Sequence, residues 1–131
     1  MASVHHSDIP AVVLVVEDEM LLRMRAVGMV EDAGFTPVEA VDADEAVAIL
    51  ESRSDIALIL SDIQMPGTMD GLMLAHLVHK RWPPIQIILV SGQLRLETFD
   101  MPPGSRFFGK PLQASLMMAQ MRNMIVRPEP A

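Results

Sequence analysis

Four short strand-like runs in this chain end in residues able to do chemistry. Ala11–Val16 runs into Glu17, Asp18 and Glu19; Ile56–Leu60 into Ser61 and Asp62; Ile85–Val90 into Ser91 and Gly92; Arg106–Phe108 into Gly109, Lys110 and Pro111. Taken one at a time, each has an ordinary structural reading. The three acids would cap a following helix and favour its positive end. Asp62 would open a turn, Ser91 would supply a turn hydroxyl, and Lys110 would be a solvated charge. Gathered on one rim, they cannot all be ordinary. Carboxylates held close repel one another unless a cation lies between them. A donor set made only of oxygen suits Mg²⁺, or Mn²⁺ in its place, in an octahedral site that keeps several waters. With its charge offset in this way, a carboxylate can act as nucleophile toward a phosphoryl donor. Lys110 would supply a compact positive charge on the other side of the incoming group.

The order of elements is what would bring these residues together. AVVLVV at 11–16 reads as a strand buried on both faces. A helical pattern follows from about Glu19 to Ala33 and stops at Gly34. Phe35–Val41 is a second strand whose Pro37 suits a sheet edge. Asp42 opens a helix with Glu45 in capping-box spacing, and Ala46, Ile49 and Leu50 share one face of it. After the strand Ile56–Leu60 and the Pro66-Gly67 turn, Asp70 caps a helix reaching about Trp82. The strands Ile85–Val90 and Arg106–Phe108 and a last helix over 113–126 complete the series. Strand and helix alternating about five times predict an α/β fold with a doubly wound, five-stranded parallel sheet. Such sheets bind ligands outside the carboxyl ends of their strands, where the residues above fall.

Composition narrows the classes. At 131 residues, half of them hydrophobic, the chain is the length of one domain with an ample core. There is no Cys, which excludes disulfide scaffolds, thiol catalysis and Cys-bound zinc. Ten basic residues against seventeen acidic ones give a net charge of −7, which argues against direct binding of nucleic acid. Mean hydropathy is +0.31, yet no apolar run approaches a bilayer span. The N-terminus does not read as a signal peptide, so the expected location is cytoplasmic. Residues 1–10 are expected to be a flexible N-terminus, 11–126 the folded domain, and 127–131 a disordered tail.

VLVVEDE, LSDIQMPGTMDG, VSG and FFGKP stand in that order and together resemble the receiver domain of two-component response regulators, CheY-like in fold, over about Val12 to Ile125. The resemblance implies roles residue by residue. Asp62 would be the phosphoacceptor. Glu17 and Asp18 would be the acidic pair that holds Mg²⁺ together with Asp62, and the backbone carbonyl of Gln64 would complete the protein ligands. Ser91 would be the switch hydroxyl and Lys110 the phosphoryl-pairing lysine, with the Lys110-Pro111 bond cis. Phe107 would be the conformational aromatic, a position often filled by Tyr. Partners would be a histidine kinase or histidine phosphotransfer protein and a downstream protein, with a homodimer as a further option.

Two departures stand out. Residues 93–100 allow at most about two helical turns before Met101-Pro102-Pro103-Gly104 breaks them, so the helix after the fourth strand is expected to be short or irregular. Phe107 has no hydroxyl, leaving a packing switch only. Methionine is frequent, with twelve residues. On the last helix Ala114, Met117, Met118, Met121, Met124 and Ile125 form a core stripe. On the first, Leu22, Ala26, Met29, Val30 and Ala33 make the core face, while Met20, Met24 and Val27 form a second apolar line, read as the docking surface for a phosphodonor. His76 and His79, with no third ligand nearby, read as surface.

The resemblance therefore points to a phosphorylatable switch rather than an enzyme, with only weak intrinsic phosphotransfer and autodephosphorylation. Two alternatives keep the receiver fold: an interaction module that is not phosphorylated, or the receiver portion of a longer response regulator. An aspartyl-phosphate phosphatase would need a general acid two residues after Asp62, where Gln64 stands. A nucleotide or flavin binder would need a glycine-rich loop after the first strand, which is absent.

Overall fold

The computed structural model describes residues 9–92 and 100–125. Within them five strands and four helices follow one another: β1 (Val12–Val16), α1 (Met20–Asp32), β2 (Thr36–Ala40), α2 (Ala43–Ser52), β3 (Ile56–Asp62), α3 (Gly71–Arg81), β4 (Gln86–Ser91), β5 (Arg106–Gly109) and α4 (Ala114–Met124). The strands form one parallel sheet in the order β2-β1-β3-β4-β5. β2 and β5 are its edges.

Side chains alternate across the sheet, so each strand feeds two cores. Leu14, Ile59 and Leu89 pack beneath α2 and α3, against Ala46, Leu50, Leu74 and Val78. Val13, Val15, Leu58, Leu60 and Ile88 pack beneath α1 and α4, against Ala26, Met29, Val30, Met117 and Met121. The continuous apolar runs of β1 and β4 are thus explained by burial on both faces. Helix starts follow the expected capping: the Asp42 carboxylate accepts from Glu45 N at 2.8 Å and that of Asp70 from Met73 N at 2.8 Å. Pro37 does lie on an edge strand; the neighbouring Thr36 N–H turns inward to the Ala11 carbonyl at 2.9 Å.

Three expectations are corrected. Val27 is half-buried and packs against the core under α1 and α4, so it does not belong to an exposed line with Met20 and Met24. Leu22, expected in the core, is 39 % exposed and borders an open cleft with Arg25 and Ala26. Ala114, at the start of α4, is also exposed; the buried residues of that helix are Met117, Met121 and Met124. The short helix expected over 93–100 lies outside the described residues except for Asp100, as do most of the N-terminal segment and the 127–131 tail. At the boundary Met101 is buried in the core beneath α2 and α3, and His76 Nε2 lies 2.8 Å from the Asp100 carbonyl oxygen.

Candidate functional site

Register lines up the strand ends. Val16 pairs with Ser61, Asp62 with Val90 and Ser91 with Gly109. Backbone bonds continue the pairing past the strands, from Glu17 N to Ala40 O (3.1 Å), Ile63 N to Val90 O (2.9 Å) and Lys110 N to Ser91 O (3.0 Å). Glu17, Asp62, Ser91 and Lys110 therefore occupy adjacent positions along one rim, as the sequence analysis expected. The Lys110-Pro111 bond is cis.

Lys110 Nζ lies 3.0 Å from Glu17 Oε1 and 3.2 Å from Asp62 Oδ2, bridging two buried carboxylates. The exposed Asp18 joins them: one carboxylate oxygen from each of Glu17, Asp18 and Asp62 lies within 4.8 Å of the others. Three carboxylates thus cluster at the rim, two of them paired with one ammonium. Burial pushes the Glu17 carboxyl above its ordinary value, and the nearby Asp62 charge adds to this against the bonds from Glu19 N–H and Lys110. Burial would lower Lys110, but the bond to Glu17 and the charges of Asp62 and Glu17 outweigh it and raise the ammonium. Asp62 Oδ1 is buried without a hydrogen-bond partner among the described residues, an arrangement that costs free energy unless a ligand or cation completes it. The carboxylates are hard oxygen donors, and the residues fit a divalent cation.

Ser91 is buried, and its hydroxyl lies 3.5 Å from the side-chain oxygen of Gln64. Phe107 is half-buried against the core beneath α2 and α3. Beside the carboxylates an apolar cleft of about 50 Å³ opens between α1 and the segment after β5, lined by Leu22, Arg25, Ala26 and Leu112 as well as Glu17, Asp62 and Lys110.

Two supporting residues were not singled out from sequence. Arg23 Nη1 donates to the Glu17 carbonyl at 3.0 Å while Nε pairs with Glu39 at 3.1 Å, tying α1 to the ends of β1 and β2. Gly71, at the start of α3, donates its N–H to Ile63 O at 2.8 Å, and a Cβ there would stand 2.0 Å from the Asp62 carbonyl oxygen. Its place in the MDG string was visible; its reason is tertiary and was not.

Residues 13–102 match the family model of the response regulator receiver domain. The chain belongs to that family. It is 33% identical over 119 residues to the sensor kinase CckA of Brucella abortus, covering 88% of this chain and 12% of the kinase. It is 33% identical over 87 residues to the nitrogen assimilation regulatory protein NtrX of Azorhizobium caulinodans, covering 66% of this chain and 19% of that protein. The chain thus spans less than a fifth of either relative. Among solved structures it is similar to the receiver domain of NtrX from Brucella abortus, with TM-score 0.78 and 30% identity, covering 86% of this chain and 97% of that one. A CheY-like receiver domain protein from Methanospirillum hungatei gives TM-score 0.78 at 26% identity, covering 87% of this chain and 92% of that one.

Proposed function

We propose that Asp62 accepts a phosphoryl group from a histidine kinase or histidine phosphotransfer protein and that the resulting charge switches a protein-binding surface. The observation that carries this is the state of Asp62: buried, with one oxygen on Lys110 and the other without a partner among the described residues, beside Glu17 and Asp18. Mg²⁺ would be held by Glu17, Asp18, Asp62 and the Gln64 backbone carbonyl, and when bound it offsets negative charge on the carboxylates and the incoming phosphoryl oxygens.

In the transfer, an Asp62 oxygen forms a bond to phosphorus as the bond to the donor's imidazole nitrogen breaks. The electron pair leaves with that nitrogen. Lys110 stays beside Asp62 and pairs with a phosphoryl oxygen. The acyl phosphate adds negative charge and acceptor oxygens at the rim, and the Ser91 hydroxyl leaves Gln64 to donate to one of them. Phe107, lacking a hydroxyl, follows by repacking. The strand-end loops are the two-state element biased by this local change. Donor docking is assigned to the exposed Met20 and Met24 on α1, with Val27 contributing from beneath.

Intact mass after incubation with Mg²⁺ and acetyl phosphate tests the reading. A phosphoryl adduct that needs Mg²⁺ and disappears in Asp62→Asn is expected. No adduct from acetyl phosphate, and none from an autophosphorylated kinase, would overturn it.

A further inference from the structure

We infer that Arg23 is a positioning residue for the divalent cation: it fixes the peptide between Glu17 and Asp18 and so sets both acidic side chains at the rim. This rests on the Mg²⁺ site proposed above and adds what keeps that site in shape. Each polar group of Glu17 has a partner. Its N–H donates to Ala40 O at 3.1 Å, and its carboxylate accepts from Lys110 Nζ at 3.0 Å and from Glu19 N–H at 3.1 Å. The paired stretch of β1 and β3 ends at Val16 and Ser61, one residue before Glu17. Past it, the Glu17 carbonyl accepts from the side chain of Arg23, whose Nη1 stands 3.0 Å away.

The guanidinium makes this hold directional. Its Nε is on Glu39 Oε1 at 3.1 Å while Nη1 is on the Glu17 carbonyl, so one planar fork spans the ends of β1 and β2. The base of the fork is anchored too, because Arg23 N donates to Glu19 O at 2.9 Å in the first turn of α1. The Arg23 side chain is 16 % exposed and that of Glu39 51 %; an ion pair so open adds little stability by itself. The carbonyl is the partner that matters. A peptide is planar, so fixing the Glu17 carbonyl fixes the direction in which Asp18 leaves it. Glu17 and Asp18 are the buried and the exposed neighbours of Asp62 in the carboxylate cluster. Groups that orient a ligand without touching the metal typically hold a share of its affinity.

Charge and geometry predict opposite signs here. The guanidinium charge opposes a cation entering the cluster. Removing it would also leave the Glu39 charge unopposed, so by charge alone a neutral residue at 23 would tighten Mg²⁺. Loss of the fork would instead free the Glu17–Asp18 peptide and loosen it.

Titration calorimetry of the whole chain with MgCl₂ at neutral pH reads the Kd directly. Arg23→Gln is expected to bind Mg²⁺ about tenfold more weakly than wild type, the lower end of the range for groups that orient metal ligands. Arg23→Lys, which keeps the charge but loses the fork, should fall between the two. The Mg²⁺ needed for half-maximal labelling by acetyl phosphate should rise by the same factor, with the rate at saturating Mg²⁺ retained. Wild-type or tighter affinity in either variant, even with a lower Tm, would overturn the positioning role and leave the Mg²⁺ site standing. Arg23→Lys alone decides if Arg23→Gln does not fold. A wild-type chain that takes up no Mg²⁺ would overturn both the site and the role of Arg23.

Discussion

Gly71 stands so close to Asp62 that a Cβ on it would come within 2.0 Å of the Asp62 carbonyl oxygen. The obstacle is backbone, not the yielding end of a side chain. The first turn of α3 is thereby set against the end of β3, and the Asp62 backbone is held between α3 and β4.

Gly71→Ala is therefore expected to destabilise the fold by about 1–3 kcal/mol, the range for overpacking, and to slow labelling by acetyl phosphate. Urea denaturation followed by the fluorescence of Trp82, the single tryptophan, measures the first and intact mass the second. An unchanged midpoint and labelling rate would show that the contact relaxes at no cost.

Glu17 gives a prediction in pH. Its carboxyl titrates above the ordinary 4.5 because burial disfavours the charge. The native chain then binds that proton more tightly than the unfolded one, so the stability it contributes is full below 4.5 and falls as pH rises through the window above it. Glu17→Gln should flatten this part of the Tm–pH curve. Mg²⁺ should raise Tm at neutral pH and do less below the ordinary carboxylate value of 4.5, where Glu17 holds its proton. Lys110 acts at the other extreme: its raised value means that its contribution persists past the ordinary 10.5 and is lost above it. Parallel curves for wild type and Glu17→Gln would contradict the assignment.

Met24 and Val27 should separate docking from folding. Met24 is exposed and Val27 packs against the core. Met24→Asp is expected to change stability by no more than about 0.5 kcal/mol, whereas Val27→Asp should cost about 1–3 kcal/mol by putting a charge against apolar side chains. Equal denaturation midpoints for the two would refute the burial difference.

The methionines of α4 are core, and they should behave so. Met121 is fully buried beneath the sheet with Met117 and Met124. Met121→Ala should cost about 2–5 kcal/mol, and Met118→Ala, at a half-buried position, distinctly less. Calorimetry on both variants decides.

The alternating elements and the rim residues were legible because each leaves a local trace. Buried parallel strands are continuous apolar runs, and Asp42 and Asp70 are capping residues at helix starts. Asp62, Ser91 and Lys110 could be aligned because parallel pairing turns strand ends into neighbours. Gly71 and Arg23 were illegible for the opposite reason: their partners, the Asp62 and Glu17 carbonyls, are backbone atoms supplied by other elements. Leu22 and Val27 exchanged places because helical periodicity gives the direction of a side chain but not what the rest of the fold sets against it. Leu22 borders the open cleft beside the rim, while Val27 packs against the core and is half-buried.

Pro37 has a consequence for how this molecule behaves in a crowd. Along an edge strand successive N–H groups alternate between the neighbour and the open side, and Thr36 N–H points inward to Ala11 O. The next position, on the open side, is Pro37, which has no N–H to offer. A foreign strand laid along β2 would find a missing rung at that point of the ladder. Concentrated preparations should accordingly resist fibril growth from the β2 edge, and Pro37→Val should shorten the lag of aggregation on mild heating.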